Sequence, residues 1–269
     1  MRISFGAQDQ YEALLTPAVA RRPPPRQFRT PPVGNSAART AIACLLCLAG
    51  LARATPAAAA SDADVIRGFN LTVFGAEYAP AGFQSDYVRK FAGPVRFYIH
   101  NLSARNRAAE VRSFILSLNG AIRGLSARMA SSPGEANFNV YIVDRQDYAA
   151  TVRDKVYRRA DAGAPGKCLV RSVFSQSGIR RSDAVIVADE GENLFDRCKA
   201  EEILQGLGPL NEHPSLGESM FNDRTHHTSF TRFDRLILNM LYDRRIRNGA
   251  SKESVQPLLP AVLATARRG

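Results

Sequence analysis

The segment from residue 95 to residue 144 most narrowly limits what this chain can become, because a strand pattern, a long helix pattern and a second strand pattern follow one another there. "VRFYIH" (Val95 to His100) alternates, with Val95, Phe97 and Ile99 on one side, which is the period of a strand with one buried face. From about Ala104 to Met129, the residues Ala108, Val111, Ile115, Leu118, Ile122, Leu125 and Met129 recur at steps of three and four. That spacing lays one apolar stripe along a helix, fit to pack on a sheet, and Ser131, Ser132, Pro133 and Gly134 close it. "FNVYIVD" (Phe138 to Asp144) reads as a second strand, and Gln146 to Val156 as a short helix. "CLVRSVFS" and "DAVIVAD" (Cys168 to Ser175, Asp183 to Asp189) flank a polar stretch containing Gly178 and read as an antiparallel pair. Three helices follow. The first runs from about Asn193 to Leu207. The second starts at Thr231, with Thr231 as N-cap, Asp234 in the first turn and Gly249 after its end. The third is the tail from Ser251 to Arg268, in spite of Pro257 and Pro260. The expected fold is α/β (α+β): one domain with a mixed sheet and helices packed on it, without internal repeats.

The first sixty residues stand outside that domain. "RRPPPRQFRTPP" (Arg21 to Pro32) has almost nothing to bury, so residues 1–35 read as an extension without a core. Residues 36–60 have the layout of a secretory signal peptide: Arg39, a short apolar run from Ala41 to Ala52, then small residues up to Ala60. A membrane span needs about 20 apolar residues, and Arg53 and Pro56 interrupt this run too early. The expectation is an exported protein, periplasmic or secreted, with residues 61–269 as the mature domain and no stable span after cleavage. Because the leader lies so far from Met1, translation from a downstream start such as Val33 is part of this reading.

Export makes sense of the cysteines and corrects the charge. Cys44 and Cys47 leave with the leader, and Cys168 and Cys198 remain, most simply as one disulfide. The formal net charge is +11. Residues 1–60 hold seven arginines against Asp9 and Glu12, a net of +5, so the domain carries +6 spread along its length. That balance suits anionic surfaces and gives no nucleic-acid footprint.

"CKAEEILQGLGPLNEHP" (Cys198 to Pro214) carries the chemistry. Metalloproteases of the zincin group place H-E-x-x-H on a helix, with two zinc-binding histidines on one face and a glutamate as general base. Many continue with a glycine turn and a third ligand. Aligned on Gly208, this chain has Glu201 and Gln205 in place of the two histidines, Glu202 at the base and Asn211 at the third ligand. At about 100° per residue, Ala200, Ile203, Leu204 and Leu207 cluster on one side, and Glu201 and Gln205 lie on the other with Glu202 beside them. An ordinary surface helix shows the same contrast.

"CKAEEILQGLGPLNE", then "ESMFND" (Glu218 to Asp223), then "FTRFDRLILNMLYDRRIRNG" (Phe230 to Gly249) together resemble the exported bacterial proteins grouped as domain of unknown function 2927, with Glu202, Gln205, Leu207, Gly208, Asn211, Asn222 and Asp223 matching that family's pattern. Pro209 stands where an apolar residue is usual, and Glu212 replaces an Asp. The likeness is specific over residues 168–250. It implies a single zincin-like domain without a settled activity, and "SMFND" resembles the methionine turn beneath a metzincin metal.

Two functions follow. In the first, amide oxygens at Gln205 and Asn211 replace nitrogen donors, no cofactor is held, and the cleft of a pseudoenzyme binds a peptide or cell-envelope component through Glu201, Gln205, Asn211, Asn222 and Asp223. In the second, a divergent metal-dependent hydrolase uses Glu202 as general base, with zinc on Glu201, His213 and His226 or His227. The first asks less of the residues and is the favoured expectation.

Overall fold

The computed structural model describes residues 60–75 and 86–268, so the extension (1–35) and nearly all of the leader (36–60) lie outside the described residues. Ser61 caps the first helix, α1 (Asp62–Val73), by accepting a hydrogen bond from the Asp64 backbone N–H. The chain then forms β1 (Val95–Asn101), α2 (Ala108–Ala121), β2 (Ala127–Met129), β3 (Phe138–Val143), and α3 (Arg145–Thr151) continued by a π-helical turn, Val152–Tyr157. Next come β4 (Leu169–Ser175), β5 (Gly178–Val187), α4 (Glu192–Gln205), α5 (Arg232–Leu241), α6 (Lys252–Val255) and α7 (Leu259–Arg267).

The five strands make one sheet in the order β2-β1-β3-β5-β4. The first four are parallel, and β4 runs antiparallel to β5 at the edge. The mixed sheet with packed helices is therefore as expected. All six residues of β3 are buried, as a central parallel strand covered on both faces requires. On one face Phe97, Phe138, Val140, Ala184 and Ile186 share a core with Val111, Ile115 and Leu118 of α2 and with Phe195, Ile203 and Leu204 of α4. On the other face Tyr141, Val143, Val185 and Val187 pack with Tyr148, Val152 and Val156 of α3 and its π-turn.

The long helix expected over residues 104–129 is divided. Its core stripe holds through Leu118, but α2 stops at Ala121 and Ile122 turns extended. Gly124 follows at φ +82°, where a Cβ would lie 2.6 Å from the Tyr242 carbonyl oxygen. The Asn119 side chain accepts from the Ala127 N–H and donates to the Ala127 carbonyl, so Ala127–Met129 becomes an edge strand instead of a last helical turn. The β4–β5 pair is longer and tighter than expected: β5 begins at Gly178, directly after a two-residue turn, and absorbs most of the polar stretch. The helix that starts at Thr231 ends at Leu241, eight residues before Gly249. Cys168 and Cys198 are bonded, with Cα atoms 5.9 Å apart, which ties α4 to the start of β4. Among the described residues no helix is long and apolar enough to cross a membrane.

Candidate functional site

α4 is an interior helix. Glu201, Glu202 and Gln205 are only 4%, 5% and 6% exposed, and Ala200, Ile203, Leu204 and Leu207 on the opposite side are buried too. Gly206 and Gly208 set how closely the helix end approaches its neighbours. Gly208 sits at φ +147°, and a Cβ there would lie 2.6 Å from both the Arg89 carbonyl oxygen and Leu241 Cδ2. The chain therefore turns at Gly208 under conditions that only glycine meets, and residues 209–227 fold back over the polar face of α4.

The returning segment brings acids to acids. One carboxylate oxygen from each of Glu201, Glu212 and Asp223 lies within 4.8 Å of the others. Arg197, one turn before Glu201, donates to Glu201 Oε1 at 2.7 Å and reaches Asp223 at 3.7 Å. The same guanidinium donates to the carbonyls of Asn222, Thr225 and His227, so it also ties the segment down. Gln205 donates through Nε2 to Glu212 Oε1 at 2.6 Å. Burial, followed by the charge of Glu202, pushes the Glu201 carboxyl well above its ordinary range, and Arg197 opposes the rise.

Other candidate residues have different surroundings. Asn211 donates through Nδ2 to the Leu71 carbonyl at 2.7 Å, and its own N–H meets Thr72 O. Its amide thus joins the returning segment to α1. Asn222 donates to the carbonyls of Pro214 and Leu216 and accepts from the Arg224 N–H, an internal brace of its turn. Asp223 remains open to solvent, with 76% of its side chain exposed. His213 bonds Ser215, His227 meets the Gly217 carbonyl, and His226 is exposed. Among the described residues, the cluster able to hold an ion is built from Glu201, Glu212 and Asp223, a different trio from Glu201, His213 and His226.

The segment that holds Met220 is fixed from below by a buried aspartate. Asp234, fully buried in the first turn of α5, accepts from Ser219 Oγ at 2.6 Å, the Met220 N–H at 3.0 Å and Thr231 Oγ1 at 2.6 Å. Burial raises its proton affinity and these donors lower it.

A sequence profile described as "Protein of unknown function (DUF2927)" matches residues 62–261. The chain belongs to the DUF2927 family. The match runs from α1 into α7, so the whole sheet and the acidic pocket fall inside the DUF2927 domain, beyond the 168–250 stretch where the resemblance is densest. No curated protein matches the sequence.

Two members of the pocket, Arg197 and Glu212, were absent from the expected set. Arg197 stands at i−4 from Glu201, the spacing at which opposite charges meet on a helix. Glu212 lies seven residues after Gln205, beyond the Gly208 turn, and sequence spacing alone does not place it in the pocket.

Proposed function

We propose that this DUF2927 domain is an exported, non-catalytic binding module whose acidic pocket takes the cationic group of an extended peptide or cell-envelope ligand. The observation that carries the reading is the gathering of acids at the end of α4: one carboxylate oxygen from each of Glu201, Glu212 and Asp223 converges there, and Arg197 meets Glu201 and Asp223. The pocket relieves the excess by keeping a proton on Glu201. A ligand ammonium or guanidinium would do so better, because it supplies a full charge and several donors to oxygens already held in place. β4, the outer strand that the Cys168–Cys198 bridge fastens to α4, offers the ligand's backbone an edge to follow. The zincin-like reading of the scaffold rests on the spacing Glu201, Glu202, Gln205 and on the Gly208 turn.

Calorimetric titration of the purified protein with the peptide Ala-Lys-Ala, in buffers of different ionisation enthalpy, tests this. At pH 7 binding should release close to one proton, strengthen as pH rises towards 9, and be lost in Glu212→Gln. Binding that involves no proton, or that Glu212→Gln leaves intact, would remove the pocket from consideration.

The same three carboxylates support a second reading, a metal-dependent hydrolase with Glu202 as base. Its oxygen-only donors suit hard divalent ions better than zinc. Stoichiometric metal in the protein as purified, lost in Glu201→Gln, would establish it in place of the first.

A further inference from the structure

A second open edge lies at the other side of the sheet. Pairing between β1 and β2 ends at Phe97 opposite Met129, whereas pairing between β1 and β3 continues to Asn101 opposite Ile142. Tyr98 to Asn101 therefore have a strand on one side only. The backbone direction is set by alternation. Val95 donates to Ser126 O and the Phe97 carbonyl accepts from Ala130 N–H, both on the β2 side, while the Arg96 carbonyl accepts from Asn137 N–H on the β3 side. Ile99 consequently presents its N–H and C=O to the open side.

A cavity of about 570 Å³ lies against this edge, lined among others by Tyr98, Ile99, Ala109, Arg112, Met129 and Ala130. Small side chains at Ala109 and Ala130 leave its space free. Leu116, one turn beyond Arg112 on α2, and Leu102, directly after β1, are large apolar side chains left exposed. The charge is positive: among the described residues neither Arg112 nor Arg128 enters an ion pair, and Arg107 neutralises nearby Glu110.

We propose that this edge binds the carboxyl-terminal end of a short extended peptide. The peptide continues the line of β2, exchanging backbone hydrogen bonds with Ile99. It places an apolar side chain in the cavity and its terminal carboxylate on Arg112. Edge addition supplies affinity through the main chain and selectivity through the pocket and the terminal charge. Arg suits the carboxylate because its fork donates two parallel bonds. This site is separate from the α4 pocket and takes the opposite charge.

The probe is Leu-Ala-Ala with a fluorophore on its amino end and a free carboxyl terminus, compared with the same peptide as its amide. Anisotropy should show saturable binding of the acid. The amide, and the acid with Arg112→Ala, should each bind about tenfold more weakly, equivalent to about 1.4 kcal/mol. Arg112→Lys should recover part of the loss, and Ala109→Leu should abolish binding by filling the cavity. Ala109 and Arg112 are solvent-exposed, so these variants should melt with the parent, which a thermal scan verifies. Amide-resolved NMR should place the shifts at Ile99, Ala109 and Ala130. The proposal is overturned by equal binding of acid and amide, by no saturation at millimolar peptide, or by shifts centred on Glu201 and Glu212. The last outcome would leave the α4 pocket as the single peptide site.

Discussion

Replacing Glu201 by Gln tests the electrostatics of the α4 pocket most directly. Burial and the neighbouring Glu202 charge move the Glu201 carboxyl from an ordinary value of 4.5 to about 8. In the unfolded chain the group has its ordinary value, so between those two pH values the folded protein holds a proton that the unfolded chain has released. The sign follows from linkage. The stabilising contribution is complete below pH 4.5 and is lost as pH rises to about 8, because the unfolded state is then the one favoured by deprotonation. At about 1.36 kcal/mol per pH unit, the loss amounts to about 3 kcal/mol at pH 7 and about 5 kcal/mol from pH 8 upwards. Gln copies the neutral carboxyl in shape and still offers Arg197 an oxygen acceptor. Glu201→Gln should therefore match the parent near pH 5 and exceed it by about 3 kcal/mol at pH 7, with a larger margin at pH 9. Urea unfolding at these three pH values, with the disulfide intact, measures the difference. Parallel stability curves for the two proteins across that range would refute the raised proton affinity and, with it, the charge imbalance on which the proposed binding rests.

Other perturbations act on the supports of the pocket. Reducing the Cys168–Cys198 bridge, which spans 30 residues of sequence, should lower stability by about 3 kcal/mol in denaturant titrations. Gly208→Ala must place a Cβ against the Arg89 carbonyl at a φ foreign to L-residues; a loss of about 3 kcal/mol in unfolding free energy is expected. Asp234→Ala strips Ser219, the Met220 N–H and Thr231 of a shared buried acceptor, and a similar loss of about 3 kcal/mol should appear in the same assay.

The elements that local pattern determines were readable, and those that tertiary contact determines were not. β1 follows from its alternation, β3 from a short apolar run and α4 from the run around Ile203 and Leu204. The apolar stripe of α2 misleads after Leu118: Leu125 is buried as the stripe implies, but the burial is reached through the Gly124 turn, which meets the Tyr242 backbone from 118 residues away. α1 lies outside the expected elements, although Ser61, Asp62 and Asp64 form an acidic capped start and Val65, Phe69 and Val73 share a buried face. In the pocket, the sequence shows which acids lie on α4 but not that their face is buried. That burial comes from residues 209–227 folding back at Gly208, and from Asn211 and Arg197 anchoring the return.

The buried acids also bear on whether the pocket is more than architecture. A helix inside an apolar core has no structural need of Glu201 and Glu202, since apolar side chains of similar volume would remove the desolvation penalty altogether. At pH 7 the held proton costs about 3 kcal/mol by the linkage above, a large share of the 5–15 kcal/mol by which domains are typically stable. Asp234 shows the contrasting case within the same chain: it too is buried, but three donors satisfy it and it holds the Ser219–Met220 turn in place. Glu201 has an arginine on one side and further acids on the other, an arrangement that favours its protonated form and that added positive charge would relieve. Buried carboxyls held against their own desolvation are a mark of functional sites, and this is the reason the proposed ligand of the α4 pocket is a cation.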